Sequence, residues 1–118
     1  MAAFVIADEV TFRRDVKVQV PVDSGFSTQT LGTVFRELSE EKEEEFAQLM
    51  EAGSTTVKEF NKTFLRAVIK EFDNLKDTEK NPVPYSEEIR DQIIRKEYVQ
   101  KALCEAYRDA MTGEKAKN

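Results

Sequence analysis

The sequence has no histidine and no tryptophan, and only one cysteine, four glycines and three prolines among its 118 residues. Without histidine there is no Ser-His-Asp or Cys-His nucleophile pair. Histidine-bearing zinc sites and the Glu-x-x-His di-iron pattern are excluded on the same ground. The single cysteine, Cys104, permits neither an internal disulfide nor a four-cysteine metal site, and it points to a reducing compartment. The glycines are scattered, so there is no Gly-rich phosphate loop, Walker motif or GxGxxG. No apolar run approaches the roughly 18 residues of a membrane helix. Residues 1–7 are apolar but meet Asp8 and Glu9 at once, without a basic region or a full apolar core, so no signal peptide is expected. A soluble, cytoplasmic protein is expected, of a length that suits one domain with a real core.

What is present is charge, unevenly spread. The formal net charge is -5, and the acidic balance argues against a generic binder of nucleic-acid backbones. Residues 39–51 hold six acids and one base, so this short segment accounts for the whole net charge. Its centre is the run Glu40-Glu41-Lys42-Glu43-Glu44-Glu45. Glu41 and Glu45 share a helix face, but a metal site needs acids converging from another element, and none is marked. A solvated face with a stabilised first turn is the simpler reading. Arg13 and Arg14 stand beside Asp15 and make a weak phosphate patch, better read as exposed charge that keeps the surface soluble. Cys104 lacks the base that a catalytic thiolate needs, which favours a packed structural thiol. No catalytic, cofactor-binding or metal-ligating residue is therefore expected.

Residues 1–38 read as β. Val16, Val18, Val20 and Val22 alternate with Lys17 and Gln19, the period-two pattern of a half-buried strand. Asp23-Ser24-Gly25 signals a turn, and residues 26–35 read as the return strand with Gly32 as a possible bulge. A helix over residues 30–38 is the main rival. A short third strand is expected near residues 4–6.

Residues 39–113 read as helical, followed by a polar tail at 114–118. Ser39 is a helix N-cap and Gly53 a helix stop. Val57, Phe60, Phe64, Val68, Phe72 and Leu75 follow at spacings of three and four, which predicts one amphipathic helix. Asn81-Pro82-Val83-Pro84 is a loop. Ser86 caps a third helix, a break is expected near residues 95–97, and a last helix carries Val99, Leu103, Ala106, Tyr107 and Ala110 up to Gly113. The expectation is an α+β domain, mostly α: an N-terminal antiparallel hairpin or small sheet followed by about four helices. The aromatic stripe is core by default; because a small sheet covers limited helix surface, core plus a partner-facing part is the alternative.

The order of five phrases resembles the tail assembly chaperones of long-tailed, siphovirus-type phages and prophages. The first is Val18-Gln19-Val20-Pro21, similar to an early strand ending in V-x-V-P. The second is Phe35-Arg36-Glu37-Leu38-Ser39-Glu40-Glu41, entering the acidic helix. The third is Val68-Ile69-Lys70-Glu71-Phe72, where the family often has tryptophan in the place of Phe72. The fourth is Pro82-Val83-Pro84-Tyr85-Ser86-Glu87-Glu88, and the fifth runs from Val99 through Ala102, Leu103, Ala106, Tyr107 and Ala110 to Gly113, with Lys117-Asn118 beyond. The resemblance implies a non-enzymatic chaperone. It would bind and solubilise the tape measure protein, help recruit tail tube protein, and act in the host cell cytoplasm. Many such proteins are also made in a longer, frameshifted form. Self-association would let small subunits coat a long partner; neither nucleic acid nor membrane is an expected partner. The candidate partner-binding residues are Phe60, Phe64, Phe72 and Tyr85. The competing reading is a small acidic phage or prophage regulatory or inhibitory protein that binds a host protein. A carboxylate enzyme ranks last, because acid–base catalysis needs groups converging in a cleft.

Overall fold

A computed structural model describes residues 2–53 and 55–113. The chain is α+β, a three-stranded antiparallel sheet with four helices. β1 (Thr11–Val22) and β2 (Gly25–Arg36) form a long hairpin. Its tight turn ends at Gly25, whose φ of 137° suits glycine. The valine alternation holds at Val16 and Val18, which are buried, and at Val20, which is half-buried, while Lys17 and Gln19 face solvent; Val22, at the turn end of the strand, is exposed instead. The rival helix over residues 30–38 does not form.

The third strand is not at residues 4–6, which have no secondary structure and are exposed. It is β3 (Ile69–Phe72), antiparallel to β2, in the order β1-β2-β3. The expected single helix through Leu75 therefore stops early, as α2 (Val57–Val68), capped by the Thr56 hydroxyl. The reason lies in the register. Thr33 pairs with Phe72 and Phe35 with Ile69, with an irregularity between Val34 and Phe35. A span of two residues on β2 thus faces a span of three on β3. This extra residue lets both Ile69 and Phe72 turn inward, at a spacing that otherwise marks a helix.

Gly32 is not a bulge in the hairpin; it pairs in register with Asp15. It is needed for close approach, because a Cβ there would collide with the Asp73 carboxylate and the Arg13 guanidinium. Asp73 accepts two hydrogen bonds from Arg13, at 2.6 and 2.9 Å, and Asn74 accepts one from the Gly32 amide at 2.7 Å. The solvent face of the sheet is thereby tied to the segment after β3.

α1 (Glu40–Ala52) is capped by Ser39 and closed by Gly53 in the left-handed region. After β3, Asp77 accepts hydrogen bonds from the Glu79 and Asn81 amides, which orders the proline-bearing loop. α3 (Glu87–Ile93) starts on the Ser86 cap. The expected break follows, and α4 (Glu97–Thr112) ends on Gly113 in the left-handed region. At the break, Gln100 is buried and donates to the Ile94 carbonyl at 2.7 Å, so neither group is left unpaired. The core lies between the inner sheet face and the helices α2 and α4. It joins Val16, Val18 and Phe35 to Leu65, Val68, Ile69, Phe72, Leu103 and Tyr107.

Candidate partner-binding surface

α1 is a solvated acidic helix. It buries no residue, and Glu40, Glu41 and Glu43 occupy its first turn, where the helix dipole favours them. Only Phe46 on this helix is even half-buried. Its ring meets Phe60 and Phe64 edge-on, with centroids 5.7 and 5.8 Å away. Phe64 meets Tyr107 at 5.3 Å, and Tyr107 meets Phe35 at 5.7 Å. A continuous line of aromatic contacts thus runs from the sheet core to the surface and ends under α1. Tyr107 is fixed at its midpoint by the Leu38 amide, which donates to its hydroxyl at 3.2 Å; burial pushes that hydroxyl's pKa up.

Around the outer end of this line lie apolar side chains without cover. Met50 and Val57 are 66% and 78% exposed, and Leu49 is 38% exposed. An open groove of about 740 Å³ runs alongside. Val10, Leu38, Phe46, Leu49 and Ala67 supply its apolar lining, with Arg36, Lys42, Glu45 and Arg66 among its polar groups. The arrangement is an apolar strip with charged margins, suited to an amphipathic helix laid in a groove.

The four residues expected to bind a partner do not share one surface. Phe60 and Phe64 are half-buried neighbours beneath Phe46. Phe72, expected on the same helical stripe, is instead a core residue of β3 and 2% exposed. Tyr85 is half-buried and packs on Phe72, ring centroids 5.9 Å apart, with no aromatic contact to the Phe46 cluster among the described residues. Burial raises the pKa of its hydroxyl. Leu49, Met50 and Val57 were not among the expected contacts. Their signal was available: they flank the Gly53 stop, on helix ends too short to carry them into the core.

The Arg13 guanidinium, a candidate phosphate contact, is taken up locally. Arg13 pairs with Asp73 and Asp15, and its guanidinium holds the Asp73 carboxyl below the usual carboxylate range. Burial pushes the Cys104 thiol up to about 11, so at neutral pH it is a protonated, weakly nucleophilic thiol. Among the described residues no group of three or more acids or cysteines is placed to hold a metal ion. No helix among them is long and apolar enough to cross a membrane. Compared with family models, with curated proteins and with solved structures, the chain matches none.

Proposed function

We propose that this protein is a tail assembly chaperone of a long-tailed phage or prophage. In this reading it is a non-enzymatic protein of the host cell cytoplasm that binds and solubilises the tape measure protein and helps recruit tail tube subunits. The observation that carries the reading is the aromatic cluster of Phe46, Phe60 and Phe64 beneath an acidic helix that buries no residue of its own. The ordered phrases of the sequence, from the V-x-V-P strand to the last helix, support the family.

The mechanism follows from the packing. Lifting α1 off α2 exposes Phe46 and the faces of Phe60 and Phe64 that it covers, a cost on the order of a few kcal/mol by apolar area. A partner helix that inserts its apolar face against Phe46, Phe60 and Phe64 regains that burial. Leu49, Met50 and Val57 extend the contact, each worth about 1.5–3 kcal/mol when fully covered. The carboxylates of α1 stay in water and keep the coated complex soluble by mutual repulsion.

Co-expression with the tape measure protein tests the reading. The expected result is that the wild-type chain carries that protein into the soluble fraction and that F46S/F60S, folded by circular dichroism, does not. A tape measure protein left insoluble by the wild-type chain refutes the chaperone reading. Equal activity of the two chains refutes the surface.

A further inference from the structure

Residues 7–9 run along the groove beside α1, and the residues before them leave it. Ala7, Asp8 and Glu9 line that groove together with Leu38, Phe46 and Leu49. Glu9 is held there by Lys70, which donates to its carboxylate at 3.1 Å, and Val10 by the Glu37 amide, which donates to its carbonyl at 2.9 Å. The chain bends at Asp8 and Glu9, and Phe4, Val5 and Ile6 stand 94%, 78% and 91% exposed. Three consecutive large apolar residues thus stand in water beside an apolar groove that is itself uncovered.

The charges of the groove leave one pair unmade. Lys42 pairs with Glu45, Arg66 with Asp91, and Lys70 with Glu9. The Arg36 guanidinium has no ion pair among the described residues, and its Nε is buried without a hydrogen-bond partner. A buried donor without a partner is costly, and an acceptor brought to it relieves that cost. Two acids on the groove, Asp8 and Glu37, have no cationic partner among the described residues. Glu37 directly follows Arg36, and successive side chains along a strand point to opposite faces. Asp8 is the acid placed to meet Arg36.

The apolar triplet is long enough to cover the groove floor. From Ala7 back to Phe4 the chain spans at most about 11 Å, and Phe46 and Leu49 lie about 4.5 Å apart along the axis of α1. No second copy is needed. A segment tethered at the groove's wall meets it at an effective concentration of about millimolar or more.

We propose that residues 4–6 form a strap that folds back over this groove of their own chain, covering Phe46 and Leu49 while Asp8 pairs with Arg36. The structure holds the strap open. Closed, it occupies the strip that a partner helix enters, so it shields the apolar surface of the free chain and is displaced on binding. This competition rests on the groove being the partner-binding surface; the closure itself requires only this chain.

The lack of tryptophan makes closure visible in the full chain. F4W places a lone indole on the strap. Its emission is expected at shorter wavelength than that of a solvated indole, protected from acrylamide, and equal at all chain concentrations. F46S/L49S, folded by circular dichroism, and D8R, which alters an exposed residue, each return it to the solvated value. A dye that fluoresces on exposed apolar surface probes the groove itself. F4S/I6S removes only exposed apolar side chains, yet it is expected to raise dye affinity on the order of tenfold by releasing a closed population. An indole that stays solvated overturns the proposal, as does F4S/I6S that binds dye no better than wild type. A shift that grows with chain concentration assigns the contact to another copy and overturns it too. No tape measure protein enters these measurements, so failure of the strap and failure of the chaperone reading are separately visible.

Discussion

Gly32 sits where only a hydrogen fits, and the reason is a salt bridge rather than a turn. The Arg13 guanidinium and Asp73 carboxylate close over it. G32A is expected to push that pair apart and cost about 1 kcal/mol or somewhat more, within the range for overpacking and a lost charged contact. D73N removes the same contact, so the two changes together cost less than their sum in urea unfolding. The pair also has a pH signature. Asp73 titrates below its ordinary value in the folded chain, so its contribution is complete above the unfolded carboxyl's pKa and is lost as pH falls through the lowered folded one. The stability gap between wild type and D73N is therefore expected at pH 7 and nearly absent near pH 2, where both unfold at similar urea concentrations. Phe72 and Phe60 make a second contrast. F72S opens a fully packed site and is expected to cost about 3–5 kcal/mol, whereas F60S, half-buried at the surface, costs much less. Thermal melts of the two variants separate core from surface.

At the scale of elements, α1 is the weak one. It has a good cap at each end but a single half-buried side chain, and most helical stability in proteins comes from a packed face. Its amides are expected to exchange with solvent deuterium far faster than those of α4, which buries Val99, Gln100, Leu103 and Tyr107. Equal protection in α1 and α4 would show that α1 does not move independently. This scale also separates what the sequence makes legible from what it hides. The hairpin, the Ser39, Thr56 and Ser86 caps and the Gly53 and Gly113 stops are local chemistry, and each is readable from a few neighbouring residues. β3 is not local. Ile69 and Phe72 keep the helical spacing of three and become a strand only because β2 offers an open edge and a one-residue irregularity absorbs the mismatch. The candidate surface was half legible for the same reason. Phe60 and Phe64 share a helix face by spacing alone, but Phe72 left that face with the strand, and the half-buried Tyr85 packs on it there.

Across the whole molecule, the fold is more extended than its length requires. Its radius of gyration is 15.5 Å, against about 13.5 Å for a compact domain of this size. Its exposed apolar residues include Phe4, Val5 and Ile6 before β1, Phe26 at the far end of the hairpin and Met50 on α1. Exposed apolar residues on an acidic body are what the proposed chaperone role requires. Charge and aromatic surface are divided between regions, since residues 39–51 carry the net charge and the aromatic line lies beneath them. The central claim is that this line is the partner-binding surface. Its most direct test is calorimetric titration of the wild-type chain and of folded F46S/F60S with a soluble apolar helical segment of the tape measure protein. The account expects measurable binding by wild type and at least about tenfold weaker binding by the variant, the equivalent of about 1.4 kcal/mol. Equal affinity of the two chains would contradict it.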